Sequence, residues 1–177
     1  MTIPEKAARF MEQIAADDAH GYDQASRWGQ PDYDCSSLVI SAYKHAGVPL
    51  QSTYTGNMKA DFLSHGFENV TSKVNLKTGA NMKRGDVLLN EVTHTAMYIG
   101  NGEIVHAAGN EYGRATGGKP GDQTGKEITV ANAASPRWAV PSCSCTARPQ
   151  AAPCTTAARW RISPLPTSPR RWKAPPR

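Results

Sequence analysis

Residues 94–108, HTAMYIGNGEIVHAA, contain the pattern that decides the fold. Apolar residues alternate with other residues on both sides of the sequence Gly100-Asn101-Gly102. Such alternation around an Asn-Gly pair is typical of an antiparallel β-hairpin. The segment therefore predicts two paired strands joined by a tight turn.

The length of that turn decides which residues of the hairpin share a face. A two-residue loop places His106 opposite Met97, and His94 and His106 then project from opposite faces. A three-residue loop places His106 opposite Ala96, so that both imidazoles lie on one face. Three-residue loops with a left-handed glycine are common in hairpins. Both registers fit the sequence, and only the second lets the two histidines act together.

The remainder of residues 1–140 predicts helices followed by further strands. Residues 4–18 carry an apolar stripe at helical spacing, with Pro4 in the first turn. Asp34 is the expected N-cap of a helix over 35–46, which Gly47 ends. A short third helix is expected over 57–65, and strands are expected at Val87–Leu89, Val92–Ile99, Glu103–Ala108 and Glu127–Ala131. Helices followed by an antiparallel meander predict an α+β domain whose helices pack on the sheet.

The composition changes after residue 140. Residues 141–177 contain seven Lys or Arg and no Asp or Glu, so the net charge of +5 comes from this segment. The segment is rich in Pro, Ala and Ser, and three of the four cysteines (Cys143, Cys145 and Cys154) lie in it. Since it has few large apolar residues to offset the entropy of ordering, we expect a disordered basic tail. Residues 1–140 are expected to form the domain, with Trp138–Val140 as the only hint of a closing strand.

Charge and hydropathy exclude several classes of protein. Residues 1–140 are slightly acidic, which argues against specific binding of nucleic acid by the folded domain. No apolar run approaches the ~18–20 residues of a transmembrane segment. The first residues, MTIPEKAARF, are not followed by an apolar run, so we expect no secretory leader and synthesis in the cytoplasm.

Cys35 is the candidate nucleophile of the domain. At the first turn of its helix, unpaired backbone N–H groups and the helix dipole are expected to stabilise a thiolate. A thiol nucleophile also needs a base and a group that orients the base, and His94 and His106 are suitable. The alternatives are a buried structural cysteine, structural histidines, or zinc ligation by all three. The paired spacings that favour zinc, CxxC and HExxH, do not occur around them.

Four segments together carry a resemblance to a known family. They are DCSSLV at 34–39, RGDVL at 84–88, HTAMYIGNG at 94–102 and IVHA at 104–107. In order and spacing they resemble the NlpC family of papain-like cell-wall peptidases, particularly its phage and prophage endolysin-like members. The resemblance spans about residues 5–132. One departure is Ser37, where the family usually has glycine.

The resemblance implies a role for each matching residue. Cys35 corresponds to the nucleophile, His94 to the general base and acid, and His106 to the residue that orients the imidazole of His94. Tyr22 resembles an upstream tyrosine whose hydroxyl helps to bind the substrate or the oxyanion. Two residues that flank the nucleophile, Asp34 and Ser36, correspond to positions that contact the substrate. No metal ion and no organic cofactor are implied.

The expected activity is hydrolysis of an amide bond in bacterial peptidoglycan, at the cell wall or outside the cell. An endopeptidase that cuts the stem peptide is slightly preferred, and an N-acetylmuramoyl-L-alanine amidase with the same three residues is the alternative. A transferase that passes the acyl group to an acceptor other than water is a weaker option. A different class of function is a non-enzymatic binder of the wall or of nucleic acid that acts through the basic tail.

Overall fold

The computed structural model describes residues 1–75, 77–134 and 158–162, and in them three helices pack on a six-stranded antiparallel sheet. The helices are α1 (Ile3–Ala15), α2 (Cys35–His45) and α3 (Thr55–Ser64). The strands are β1 (Phe67–Asn69), β2 (Val87–Asn90), β3 (His94–Gly100), β4 (Glu103–Ala107), β5 (Ile128–Asn132) and β6 (Ala158–Ile162), in the spatial order β1-β6-β2-β3-β4-β5. The predicted α+β class is confirmed.

Helix α1 is amphipathic and buries Ala7, Ala8 and Met11. It ends at Ala15, before the predicted residue 18, because Asp17 Oδ1 accepts a hydrogen bond from the N–H of Ala19 and forms a turn instead. Its polar side is tied to the turn before β2: the Arg84 guanidinium bonds Glu5 Oε2 at 2.8 Å and Glu12 Oε2 at 2.5 Å. The helix is thereby fixed to the sheet by charge as well as by packing.

The main hydrophobic core lies between the helices and one face of the sheet. Leu38, Val39 and Ala42 of α2 are fully buried in it. Helix α2 then ends where expected, because Gly47 has a φ of +100° that residues with a side chain rarely adopt. A second, smaller cluster forms on the other face of the sheet, from Leu88, Ala96, Tyr98, Ile104 and Ala133.

Strand β6 differs from the sequence-based expectation. Its residues, Ala158–Ile162, lie within the segment predicted to be a disordered tail, yet they pair with both β1 and β2. Trp160 is 1% exposed and belongs to the main core. Arg161 holds the carboxylate of Asp86 with two nitrogens, at 2.6 and 2.5 Å. For these five residues the prediction of disorder is wrong. Apolar side chains alternate with the arginines, and the strand pairs between β1 and β2.

The other residues of 141–177, with Cys143, Cys145 and Cys154, lie outside the described residues, as does the predicted strand Trp138–Val140. The domain boundary at residue 140 therefore stays a prediction. None of the three helices in the described part of the chain is long and apolar enough to cross a membrane.

Candidate active site

Cys35 is the first residue of α2, and a capping box fixes the position of this helix terminus. The side chain of Asp34 accepts a hydrogen bond from the N–H of Ser37 at 2.6 Å. In return the hydroxyl of Ser37 accepts one from the N–H of Asp34 at 2.9 Å. The predicted N-cap is confirmed, and serine at position 37 supplies half of the capping box, which glycine would not.

The environment of Cys35 favours the neutral thiol. Cys35 is 7% exposed, and burial raises the pKa of its thiol to about 11, with a further rise from the carboxylate of Asp34. The backbone N–H groups of Thr95, Ser36 and Cys35 lower this pKa and only partly offset burial. The N–H groups expected to stabilise a thiolate are therefore present, but burial has the larger effect on the pKa of the thiol and favours the protonated form.

His94 and His106 lie on one face of the sheet, as the second predicted register requires. Strands β3 and β4 pair with Met97 opposite Val105 and Tyr98 opposite Ile104. The two imidazoles meet there, with Nε2 of His94 3.0 Å from Nδ1 of His106 and the ring planes at 86°. The structure therefore brings together the two histidines that the hairpin motif singles out.

The turn that produces this register differs from the expected three-residue loop. Asn101 and Gly102 form a two-residue turn with positive φ angles of 53° and 79°. Gly100 pairs with Glu103, and the register then shifts between Gly100 and Tyr98. A β-bulge inserts the extra residue that the loop does not supply. The shared face of the histidines thus depends on the bulge.

Cys35 and the histidines approach the same end of β3. The backbone N–H of Thr95 acts on the thiol of Cys35, and Thr95 directly follows His94, the first residue of the strand. Contact between α2 and β3 holds the two elements together in the core. The thiol is thereby placed beside the start of the strand that carries His94.

Tyr22 also lies near the thiol. It is 6% exposed, and burial raises the pKa of its phenol, with smaller increases from the charges of Cys35 and Asp34. Its hydroxyl accepts a hydrogen bond from Nε2 of Gln24 at 3.1 Å, and its backbone N–H donates to Oε2 of Glu127 at 2.9 Å. The phenol is thus buried and un-ionised at neutral pH, its oxygen accepts from Gln24, and the charge of Cys35 acts on it.

Asp34 and Ser36, expected to contact the substrate, contact each other. The hydroxyl of Ser36 donates to Oδ1 of Asp34 at 2.8 Å, and Nη1 of Arg27 lies 2.5 Å from Oδ2. Asp34 and Ser36 are 3% and 2% exposed. Their observed role is to cap α2 and to bind Arg27, and their contact with a substrate stays a prediction.

The structural roles of two buried carboxylates, those of Asp32 and Glu127, were not predicted from the sequence. Oδ1 of Asp32 accepts hydrogen bonds from the N–H groups of Gly21 and Gly121, each at 2.8 Å. Glu127, which is fully buried, holds the N–H of Tyr22. These hydrogen bonds join the Tyr22 segment, residues 21–24, to the loop that follows β4. Gly121 and Glu127 of that loop lie some 89 to 105 residues further along the chain than their partners. No local motif signals such a contact, because its partners are adjacent only in the fold.

Among the described residues, no group of three or more His, Cys, Asp or Glu is arranged to hold a metal ion. The chemistry available at the site is that of a thiol, two imidazoles and a phenol.

The neutral thiol leads to a prediction on chemical modification. We expect the rate of Cys35 alkylation by iodoacetamide to rise roughly tenfold per pH unit from about pH 7 to about pH 10, because only the thiolate reacts. The rate should level off near the pKa of about 11. Mass spectrometry of the peptide that contains Cys35 separates its modification from that of the other cysteines. A rate already constant by about pH 7 would instead indicate a thiolate–imidazolium pair and contradict the prediction.

The fold and the site define a class: an α+β domain with a cysteine at a helix N-terminus and a hydrogen-bonded pair of histidines on a β-hairpin. A model of the endolysin-like domain matches residues 29–103 and 104–158. The chain belongs to this endolysin-like domain family, which confirms the resemblance to endolysin-like NlpC peptidases. Among curated proteins, none matches the chain significantly.

Several solved structures are similar to the chain at low sequence identity. NlpC1 from Trichomonas vaginalis is 21% identical, with a TM-score of 0.46, over 76% of this chain and 40% of that one. The P60 domain of an antigen from M. avium subspecies paratuberculosis is 15% identical, with a TM-score of 0.44, over 73% and 87%. The peptidoglycan hydrolase RipB from Mycobacterium tuberculosis is 18% identical, with a TM-score of 0.45, over 88% and 64%. The chain spans about 40% of the length of the Trichomonas vaginalis protein, and the family assignment rests on the family model.

Proposed function

We propose that the chain hydrolyses an amide bond of bacterial peptidoglycan through a Cys35 nucleophile. The observation that carries the proposal is the His94–His106 hydrogen bond of 3.0 Å on the hairpin whose first strand also contacts the Cys35 thiol. A base that is itself oriented by a third group, next to a thiol, is the arrangement that nucleophilic catalysis requires. Family membership in the endolysin-like domains supports the choice of substrate.

In the proposed mechanism, His106 sets the tautomer of His94. If the N–H of His94 is at Nε2 and donates to Nδ1 of His106, then Nδ1 of His94 is the basic nitrogen. This nitrogen accepts the proton of the Cys35 thiol as the sulfur attacks the carbonyl carbon. A neutral thiol in the resting state makes this transfer necessary, because burial holds its pKa at about 11.

The attack converts the carbonyl oxygen into an oxyanion, which needs hydrogen-bond donors. In the proposal these are the backbone N–H of Cys35 and the hydroxyl of Tyr22. The imidazolium of His94 then protonates the departing amine as the C–N bond breaks, which leaves a thioester on Cys35. Water, deprotonated by His94, hydrolyses the thioester, releases the carboxylate and restores the thiol.

The loop that follows β4, residues 108–127, favours a peptide substrate with charged groups. The loop begins directly after the strand of His106, and the N–H of Gln24 donates to the carbonyl of Ala115 within it at 2.9 Å. Tyr112 in this loop is 59% exposed, with the guanidinium of Arg114 5.8 Å from its ring centre. We propose that this exposed, positively charged part of the loop binds the carboxylates of the stem peptide.

Mass spectrometry of purified peptidoglycan digested by the protein tests the proposal. A new amino terminus within the stem peptide is expected, since we propose an endopeptidase, whereas a muramoyl lactyl group freed from L-alanine would show the amidase instead. The variant Cys35→Ala is expected to release neither product. The proposal fails if no amide bond is cut, or if Cys35→Ala cuts as fast as the unaltered protein.

A further inference from the structure

Gln24 makes two hydrogen bonds that the proposed mechanism has not used. Its side-chain Nε2 donates to the hydroxyl oxygen of Tyr22 at 3.1 Å. Its backbone N–H donates to the carbonyl of Ala115 at 2.9 Å. Gln24 is therefore fixed between the phenol of the site and the loop that follows β4.

The direction of the first bond has a consequence for the phenol. A tyrosine hydroxyl has a single proton, and its oxygen also accepts hydrogen bonds. When the amide N–H of Gln24 approaches the oxygen, the proton of Tyr22 must be directed away from Gln24, toward another acceptor. The hydroxyl is thereby left as a donor with a restricted orientation.

The carboxylates around the Tyr22 segment are engaged with other donors. Oδ1 and Oδ2 of Asp34 accept from Ser36 and Arg27. Oδ1 of Asp32 bridges two backbone N–H groups, and the two oxygens of Glu127 accept from the N–H groups of Tyr22 and Gln123. In the described part of the chain, the nearby carboxylates thus compete little for the phenolic proton.

The backbone that carries the pair is held rigidly. A Cβ added at Gly21 would lie 2.2 Å from the carbonyl oxygen of Gly121, so the Tyr22 segment and the later loop are in direct contact. The carboxylate of Asp32 bonds both of these glycines. A rigid support is what positioning a donor to within a fraction of an ångström requires.

We propose that Gln24 is a positioning residue, which orients the hydroxyl of Tyr22 so that its proton is directed at the oxyanion formed above Cys35. This inference rests on the proposed function, in which Tyr22 donates to that oxyanion. Gln24 itself does not touch the reacting atoms, and it acts through the phenol.

The first test measures the ionisation of Tyr22 and does not depend on activity. The variant Gln24→Met keeps the length of the side chain and removes the N–H donor. Because this donor lowers the pKa of Tyr22, we expect the variant to raise it. Carbon NMR of protein labelled at tyrosine Cζ gives the value, with Tyr22→Phe to identify the signal. An unchanged or lowered pKa would overturn the proposal, since a lowered one means that Tyr22 donates to the amide oxygen.

The second test is kinetic. Loss of one oriented hydrogen bond is expected to lower kcat about tenfold, with KM changed by less than about twofold. In a Tyr22→Phe background the same change should have no further effect, because its target is gone. Additive losses would overturn the proposal.

Gln51→Met is the matched control. The side chain of Gln51 donates to the carbonyl of Pro49 and not to Tyr22, so its kcat and its Tyr22 pKa should equal those of the unaltered protein. If the unaltered protein cuts no amide bond, the proposed function fails, while the NMR titration still decides whether Gln24 orients Tyr22.

Discussion

The variant His94→Gln is expected to cleave peptidoglycan about 10²–10⁴ times more slowly than the unaltered protein, with its fold retained. In the proposed mechanism His94 takes the proton of a neutral thiol, protonates the leaving amine and activates water. Glutamine keeps a polar side chain of similar length but accepts no proton at neutral pH. Initial rates of dye release from labelled peptidoglycan measure the loss, and circular dichroism checks the fold.

Two further histidine variants make this test specific. His65→Gln is the matched control: His65 lies at the end of α3, where Nδ1 bonds Asp61 Oδ1 at 3.0 Å, and we expect its activity to be unchanged. For His106, the variant His106→Asn keeps a hydrogen-bond acceptor for His94 and should lose less activity than His106→Ala. A fully active His94→Gln would remove the imidazole from the mechanism and favour the hypothesis of a non-enzymatic binder.

The sequence identified the candidate site because its residues lie in short, regular patterns. Cys35 follows an N-cap aspartate, and His94 and His106 flank an Asn-Gly turn, so each position is set by local backbone geometry. The register was open because a single bulged residue moves every side chain to the other face. Periodicity alone does not show whether a loop or a bulge supplies that residue.

Local sequence patterns do not predict features that depend on the folded environment. The helix terminus of Cys35 predicts a stabilised thiolate, yet the thiol is buried by segments far along the chain, and burial has the larger effect on its pKa. The contacts of Asp32, Glu127 and Gln24 are likewise long-range. Their bonds to the loop that follows β4 become visible only when the fold is known.

Strand β6 was not predicted because of the composition of residues 141–177, in which it lies. Proline and arginine dominate the segment around it, although Ala158, Trp160 and Ile162 alternate with arginines in the manner of a half-buried strand. An alternating pattern of only five residues is too short to predict a strand within a segment of that composition. A test of the basic tail as a binding element must therefore retain Ala158–Ile162, because removal of residues 141–177 would also remove a strand of the sheet.

The variant Trp160→Ala is expected to lower the free energy of unfolding by about 3–5 kcal/mol. Trp160 is 1% exposed, and its ring lies 6.1 Å from that of Phe62, so truncation leaves a large cavity between α3 and the sheet. Urea unfolding followed by circular dichroism measures the change. Because β2 pairs with both β6 and β3, loss of β6 is also expected to weaken the strand next to the histidine hairpin.

Trp28→Ala provides the same substitution at a tryptophan that is 43% exposed. Trp28 contacts the cations of Arg27 and Lys44, each 5.4 Å from its ring centre, and its loss should cost about 1 kcal/mol or less. Arg161→Met is expected to destabilise the protein as well, because the carboxylate of Asp86 is 1% exposed and would lose its guanidinium partner. Equal, small effects for Trp160→Ala and Trp28→Ala would show that β6 does not belong to the sheet, and the core on which the candidate site is built would then lack its sixth strand.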